Sequence, residues 1–336
     1  MRDRIAASHH FLHAVGWGDA DRRFLAGDAS DRRYDRLRRG AAAAVLMDAP
    51  PGKGDDPADF IAIGAHLNAL GLSAPRILAQ DLRQGFLLIE DLGDAVFARL
   101  MTREPARETE LYAAATDVLI NIQSHPAPAG LPNLAAEDWA KAATFALDWY
   151  RFAITGDRGN GPAFVAALSD VMHRHADGPR VLILRDYHAE NLLWLPLRKG
   201  LARVGLLDFQ LGQMGQPAYD LVSLLQDARR EVSPEMEAAM IARFHSARDD
   251  DGFVAAYAVV GAQRALRILG IFARLCMVAG KAQYLPLIPR VWGQLQRNLA
   301  QPELAHLAEI CAREIPEPTA QALERISAQC AKHPMR

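Results

Sequence analysis

Short apolar runs alternate with turn residues over the first ninety positions, a pattern that predicts a small β-sheet. The candidate strands are residues 24–26, 34–37, 43–47, 76–79 and 86–90. Between the third and fourth candidates, Phe60, Ile63, Leu67 and Leu70 recur at helical spacing, and Gly71 is placed to end that helix. The pattern therefore predicts a sheet with one helix across it.

Beyond Gly93 the apolar spacing becomes mostly helical. Leu111, Ala115, Val118 and Ile122 form one stripe, and further helices are predicted at 139–154, at 164–175 and over most of the chain after residue 219. The strands predicted in this part lie between residues 181 and 208. We therefore expect an α+β fold with a small N-terminal sheet lobe, residues 1–92, and a large, mostly helical C-terminal lobe, residues 93–336.

A group of polar residues lies beside a predicted hairpin in the second lobe. Asp186 and Asn191 follow an apolar run, and a strand–turn–strand pattern then ends at Asp208. Antiparallel pairing places the start of the first strand beside the end of the second, so we expect Asn191 and Asp208 to meet, with Asp186 on the loop leading in. Amide and carboxylate oxygens suit Mg²⁺, and Asp186 is a candidate base for an attacking hydroxyl.

This spacing matches the general arrangement of protein kinases, where an Asp is followed five residues later by Asn and a second Asp follows a strand. A lone pair at this spacing is common by chance, and Asp208 by itself is also interpretable as a strand-end cap. The spacing, the flanking apolar strands and the hairpin together favour phosphoryl transfer.

Composition limits the other classes. The chain has 336 residues and a formal net charge of −2, so charge gives no case for a nucleic-acid or membrane partner. Its 3 cysteines make no disulfide framework and fit a reducing compartment. Because no apolar run resembles a signal peptide or a membrane span, we expect a cytoplasmic protein. The oligomeric state is open, and a monomer is assumed.

Several segments resemble a known family. Residues 185–191, 207–210 and 219–225 are similar to the catalytic segments of aminoglycoside phosphotransferase-like kinases. Residues 27–34, 47–51 and 263–275 resemble one branch of that family, the anomeric N-acetylmuramate/N-acetylglucosamine kinases of peptidoglycan recycling. The resemblance covers most of the chain. It implies a two-lobed protein-kinase-like fold, ATP and Mg²⁺ as cofactors, and a sugar 1-phosphate as product.

The same resemblance implies roles for individual residues. Asp186 would be the catalytic base, and Asn191 and Asp208 would bind Mg²⁺. The remaining assignments concern the nucleotide. The loop over the ATP phosphates and the hinge beside the adenine would supply its binding residues, which are Ser30, Arg32, Arg33, Glu90 and Leu92.

The sequence departs from the family pattern at two positions. Leu184 stands where such kinases usually have a His, two residues before the base. Met47 stands near the position of the phosphate-binding strand Lys, so the usual Lys–Glu ion pair is absent or replaced. Arg32, Arg33 and Lys53 are candidate replacements, and each has an equal interpretation as a solvated loop charge.

Four other polar residues are candidates for supporting roles. His188 lies within the catalytic loop and would orient that loop or contact the substrate. Arg264 and Arg267 share a helix face and are candidate ligands for substrate oxyanions, with a solvated, ion-paired face as the alternative. Asp220 begins an apolar helix, and we expect it to brace the catalytic loop.

Three functions are consistent with these features. The first is an ATP-dependent kinase acting on the anomeric hydroxyl of N-acetylmuramate or N-acetylglucosamine. The second keeps the reaction but changes the acceptor to an aminoglycoside, a choline-like alcohol or an amino alcohol. The third is a catalytically weak, nucleotide-binding pseudokinase, suggested by the missing Lys and His.

Overall fold

A computed structural model of the chain describes residues 2–27, 32–54, 56–248 and 251–333. The strands are, in chain order, β1 (Asp21–Gly27), β2 (Arg33–Arg39), β3 (Ala42–Asp48), β4 (Ile77–Asp81), β5 (Phe86–Glu90), β6 (Val181–Ile183), β7 (Leu192–Trp194), β8 (Val204–Leu206) and β9 (Gln213–Gly215). The α-helices are α1 (Arg2–Ala14), α2 (Pro57–Ala69), α3 (Phe97–Arg103), α4 (Glu108–Gln123), α5 (Ala136–Ala142), α6 (Phe152–Thr155), α7 (Gly161–His175), α8 (Tyr219–Leu225), α9 (Pro234–Ser246), α10 (Phe253–Ala279), α11 (Ile288–Leu299), α12 (Ala305–Glu314) and α13 (Ala320–Ser327).

The chain forms two compact units. The first unit is Met1–Ala129 with Leu184–Gly212, and the second is Gly130–Ile183 with Gln213–Arg336. The division into lobes between residues 92 and 93 stays a prediction.

The first unit contains an antiparallel sheet in the order β1-β2-β3-β5-β4. Its strands overlap the five candidates of the apolar pattern. β3 and β5 are central and mostly buried, so their apolar runs are nearly continuous. Helix α1 covers part of the sheet, because Phe11 and Leu12 pack with Leu37, Leu46 and Phe86.

Helix α2 of the same unit begins and ends at residues suited to those positions. Asp56 is its N-cap and accepts a hydrogen bond from the backbone N–H of Ala58, and Pro57 follows as the first helical residue. The chain leaves the helix through Gly71, whose φ of +76° favours glycine. The buried face of α2 includes Phe60, whose ring stacks on that of Phe209.

The second unit is mostly helical, with β6 paired to β9. The prediction of one helix over residues 139–154 is wrong. The chain there forms α5, then a π-helical segment, Ala146–Arg151, and then α6. Helix α10 approaches this region so closely that a Cβ at Gly270 would lie 2.0 Å from the carbonyl oxygen of Phe145. We attribute the irregularity to that packing, which apolar periodicity does not encode.

Among the described residues, α10 is long and apolar enough to cross a membrane by length and composition alone. However, 67% of its most apolar window is buried inside the structure. The core helix of a water-soluble fold has the same properties, so α10 is weak evidence for a membrane span.

Candidate active site

The polar group around Asp186 lies within the first unit, on the loop between β6 and β7. Arg185 has a φ of +70° and Asp208 a φ of +57°, both in the left-handed region that side chains other than glycine rarely adopt. Each such residue costs on the order of 1–3 kcal/mol and persists where the surroundings hold it. Backbone strain therefore occurs at both ends of the predicted cluster.

Asn191 joins the two ends of the cluster. Its Nδ2 donates to the backbone carbonyl of Asp186 at 2.9 Å and lies 3.4 Å from Oδ2 of Asp208. The backbone N–H of Leu207 donates to the Asn191 carbonyl at 3.0 Å, which continues the pairing of β7 with β8. The hairpin thus brings Asn191 and Asp208 together, and the side chain of Asn191 holds the backbone at Asp186.

Further contacts fix the loop and the segment after β8. The backbone N–H of Asn191 donates to the carbonyl of His188, and the His188 Nε2 lies 3.4 Å from Asn191 Nδ2. Tyr187 donates its hydroxyl to the Ala115 carbonyl of α4 at 2.8 Å. His188 is nearly buried, at 6% exposure, so the described conformation favours its loop-orienting role over substrate contact.

The two residues that follow Asp208 in the chain help to hold it in place. Gln210 donates from Nε2 to Oδ1 of Asp208 at 2.8 Å. Phe209 is fully buried and its ring stacks on Phe60 of α2, with centroids 4.8 Å apart. The hydrogen bond from Gln210 and the aromatic anchor at Phe209 therefore both help to hold Asp208.

The donor set around Asn191 and Asp208 fits Mg²⁺. An amide oxygen and a carboxylate are hard oxygen ligands, and Mg²⁺ is usually bound by one or two carboxylates together with substrate phosphates. No group of three or more His, Cys, Asp or Glu side chains able to hold a metal occurs in the described part of the chain. Asn191 and Asp208 therefore suit a metal ion that arrives with a nucleotide.

A cavity of about 510 Å³ in the first unit reaches these residues. Its wall combines apolar side chains of the sheet with polar residues at its ends. The wall includes Val45, Ile89, Leu92, Leu193, Asn191 and Asp208. Glu90 and Leu92, the predicted hinge residues, also line the cavity. It is large enough for a nucleotide base and ribose.

The predicted phosphate-loop residues are distributed differently. Ser30 lies outside the described residues. Arg32 is 3% exposed, and its Nη1 lies 3.4 Å from the hydroxyl of Tyr34, which lines the cavity. Arg33 points to the other face of β2, where it pairs with Asp35, and its side chain is 55% exposed. Lys53 is exposed on a turn.

The two departures from the kinase pattern are both buried. Met47 is fully buried on β3, opposite Tyr34 of β2. Leu184 is also buried, at 2% exposure. Neither position presents a charged group to the cavity, so any cation at the phosphates must come from elsewhere.

Three candidate residues lie in the second unit. Asp220 is fully buried in the first turn of α8. Arg264 is 9% exposed, and it donates to the Ser223 hydroxyl at 2.9 Å and to the Gln226 carbonyl. Arg267 is half-buried. Arg264, on α10, thus donates to α8 and to the residue after it. A structural role in joining these helices is therefore the alternative to its predicted contact with the substrate.

Sequence reasoning missed an ionic cluster at the predicted hinge. Arg36 lines the cavity from β2 and pairs with Asp91 and Asp94. The hydrogen bond to Asp94 raises the pKa of Arg36, and the same bond lowers the pKa of Asp94. The available signal was strand alternation, since Arg36 and Tyr34 occupy the same face of β2.

Comparison with known proteins agrees with this geometry. Residues 21–258 match the sequence profile of the phosphotransferase enzyme family. An N-acetylmuramate/N-acetylglucosamine kinase from Caulobacter vibrioides is 40% identical over 94% of this chain and 98% of its own. A Pseudomonas aeruginosa protein of the same name is 34% identical over 89% of this chain and 91% of its own.

A solved structure extends the comparison to the fold. An aminoglycoside 2'-phosphotransferase in complex with GDP superposes with a TM-score of 0.60 at 12% identity, covering 94% of this chain and all of that one. The α+β, protein-kinase-like fold and the phosphotransferase class expected from the sequence are confirmed. By its family profile and by these relatives, the chain belongs to the phosphotransferase enzyme family.

Proposed function

We propose that the protein is an ATP-dependent kinase that phosphorylates the anomeric hydroxyl of N-acetylmuramate or N-acetylglucosamine. The observation that carries the proposal is the 40% identity, over nearly the whole of both chains, to a kinase of that name. The cavity that reaches Asn191 and Asp208 supports a nucleotide beside them. A cytoplasmic location and a monomeric state stay predictions.

In the proposed reaction, each of these polar residues has a separate role. The sugar hydroxyl attacks the γ-phosphorus of ATP, its proton passes to the Asp186 carboxylate, and ADP leaves. Asn191 and Asp208 would hold Mg²⁺, which when bound neutralises charge on the phosphates. Asn191 keeps the backbone at Asp186 in place through its 2.9 Å hydrogen bond, and Gln210 orients Asp208.

Arg32 is our candidate for the cation that replaces the strand Lys. Residues two apart on a strand face the same side, so Arg32, immediately before β2, shares the side of Tyr34 and Arg36, both of which line the cavity. Arg33 has the opposite direction and already pairs with Asp35. Burial of the long Arg32 side chain also favours a fixed position over a solvated one.

The acceptor is tested directly. Purified protein, ATP and Mg²⁺ are incubated with N-acetylmuramate, N-acetylglucosamine, glucose, choline or kanamycin, and products are followed by phosphorus NMR. We expect an acid-labile sugar 1-phosphate from at least one N-acetyl sugar. If phosphate were transferred only to choline or only to kanamycin, the proposed sugar acceptor would be wrong. Nucleotide binding without any transfer would favour the pseudokinase interpretation.

The site is tested by substitution. Asp186→Ala and Asp208→Ala should each lower kcat by about 10²–10⁴-fold, the usual range for loss of a general base or of an electrostatic group, with near-native circular dichroism. Wild-type turnover in both variants would refute the site.

The Arg32 assignment needs its own variants. Arg32→Met should raise the KM for ATP and lower kcat, because the phosphates lose a cation. Arg23→Met serves as the control, since Arg23 is 78% exposed and pairs with Asp21. Arg33→Met separates the two candidates. If Arg33→Met raised the KM for ATP and lowered kcat while Arg32→Met changed neither, Arg33 would be the phosphate-binding cation in place of Arg32.

A further inference from the structure

Arg36 reaches across the sheet to the segment that follows β5. On the sheet, Arg36 pairs with Val45 of β3, and Val45 pairs with Ile89 of β5. Two strand spacings, about 9–10 Å, therefore separate its Cα from β5. Its side chain extends in that direction and contacts residues 91–94, the continuation of β5 that lines the cavity.

The guanidinium is shared among the acceptors of this short segment. Its Nε lies 2.7 Å from Oδ2 of Asp91 and its Nη2 is 2.9 Å from Oδ1. Its Nη1 donates to Asp94 at 2.7 Å, and its Nη2 also lies 3.3 Å from the Gly93 carbonyl. A planar, five-donor group is suited to such a fork, whereas an ammonium is not.

The segment also folds onto the carboxylate of Asp91. Oδ1 of Asp91 accepts the backbone N–H of Gly93 at 3.0 Å, and Gly93 has a φ of +83°. Both backbone polar groups of Gly93 are thus engaged by Asp91 and Arg36. The side chains of Arg36 and Asp91 are 14% and 8% exposed, so solvent screens this pair less than a surface ion pair.

This cluster fixes the backbone shape of the cavity edge. The segment follows directly from β5 at one end. At the other end, the contacts of Arg36 with Asp91, Gly93 and Asp94 hold it in place. Fixing a loop before a ligand arrives improves affinity, because the ordering entropy is already spent. Given the proposed function, this edge is where a nucleotide base would be read by backbone groups.

We propose that Arg36 is a positioning residue for the nucleotide base, acting through Asp91 and Asp94 and not by contact with the phosphates. The proposal rests on the proposed function, which places ATP in this cavity. Two neighbouring carboxylates balance the guanidinium charge, and its donors are directed at residues 91–94. Arg36 therefore differs from Arg32 in role, although Arg32, just before β2, is expected on the same side as Arg36.

The test separates the base from the phosphates. Binding of adenosine, which has no phosphates, and of Mg²⁺–tripolyphosphate, which has no base, is measured by calorimetry or ligand-observed NMR. In Arg36→Met we expect the Kd for adenosine to rise about tenfold or more and the Kd for tripolyphosphate to change less than about twofold. The reverse pattern would make Arg36 a phosphate ligand and overturn the proposal.

Kinetics supply an independent measure. Arg36→Met should raise the KM for ATP while kcat at saturating ATP and the KM for the sugar stay near wild type. Arg36→Lys should give an intermediate effect, because one ammonium cannot engage both carboxylates. Arg76→Met is the matched control: Arg76 pairs with Glu90 at the same hinge, but its side chain is 69% exposed and lies outside the cavity wall.

A second variant keeps the test decisive if Arg36→Met does not fold. Asp91→Asn preserves size and retains an oxygen for Gly93, but weakens the pairing with Arg36. It should raise the Kd for adenosine, and the double variant should be no worse than Arg36→Met, since one interaction is removed twice. Unchanged adenosine binding in Asp91→Asn would refute the proposal. Absence of adenosine binding by the wild type would instead refute the proposed nucleotide cavity.

Discussion

The replacement of Asn191 by Asp is a sharp probe of the predicted metal site, because it changes charge and hardly changes shape. The Asn191 Nδ2 lies 3.4 Å from Oδ2 of Asp208 and donates to the Asp186 carbonyl at 2.9 Å. In the variant, an oxygen occupies that position on average. An attraction and a hydrogen bond become two repulsions, while an oxygen ligand for Mg²⁺ is retained.

The size of the penalty follows from that distance. Two unit charges 3.4 Å apart repel by about 5 kcal/mol at an effective dielectric constant of 20. Protonating one carboxylate at pH 7 costs about 4 kcal/mol, roughly three pKa units, and so limits the penalty. We expect Asn191→Asp to lower the free energy of unfolding by about 2–4 kcal/mol without a divalent ion.

Mg²⁺ should reverse much of this loss. A cation between two carboxylates turns their repulsion into attraction, and a ligand that binds only the folded state stabilises it by mass action. Thermal unfolding is recorded for the wild type and the variant, each with EDTA and with increasing Mg²⁺. The midpoint of the variant should start lower and rise more with Mg²⁺ than that of the wild type.

A matched substitution controls for the chemistry. Asn160 caps α7 by accepting the backbone N–H of Ala163, and Asp serves this position equally well. Asn160→Asp should therefore leave both the midpoint and its Mg²⁺ dependence unchanged. If Mg²⁺ raised the midpoint of Asn191→Asp no more than that of the wild type, the assignment of Asn191 as a metal ligand would be wrong.

Three further predictions concern packing, pH and thiol chemistry. Phe209→Ala removes a fully buried ring that stacks on Phe60, so urea unfolding should show a loss of about 3–5 kcal/mol; a loss below 1 kcal/mol would contradict this packing. The hydrogen bond that the His173 ring donates to Glu137 raises the pKa of His173 above 6.5. The stabilisation that this pair provides is therefore complete below pH 6.5 and is lost as pH rises through the folded-state pKa. The melting midpoint of His173→Gln should accordingly lie below that of the wild type at pH 5.5 and converge with it at high pH; a constant difference would exclude the ion pair as its cause. Burial raises the pKa of the Cys311 thiol to about 12, so mass spectrometry after iodoacetamide treatment at pH 8 should find Cys311 alkylated only after unfolding.

Local patterns predicted the sheet in part because turn residues with a specific backbone requirement separate its strands: Gly40 between β2 and β3, and Gly85 between β4 and β5, both adopt positive φ. Gly71 and Gly93 also adopt positive φ, so glycine at these positions marks the ends of α2 and of the predicted hinge. The hairpin after Asn191 was predictable for the same reason, since apolar runs on either side of a turn leave antiparallel pairing as the simple solution. These features depend on residues close together in the chain.

Features that depend on distant residues were not predictable. The sequence around residue 145 is amphipathic, and only the approach of Gly270, 125 positions later, explains why the helix is interrupted there. The partners of Arg36 are likewise 55 and 58 positions away. A single sequence records that both arginine and aspartate occur, but the pairing follows from the order of β2, β3 and β5 in the sheet.

The buried Met47 gives the departure from the kinase pattern a physical logic. A lysine on β3 would have to extend a charge from a fully buried position, which is costly unless an acid partner is present, and the sequence shows no obvious Glu partner on α2. Our proposals move the positive charge one strand outward, to the β2 side of the cavity, where Arg32 serves the phosphates and Arg36 serves the hinge. The planar fork of an arginine side chain also holds a geometry that an ammonium would not. Met47→Lys should therefore not rescue Arg32→Met, because the new ammonium would extend from a fully buried position without a counter-charge. Recovery of turnover in the double variant would show that β3 still offers a working phosphate position.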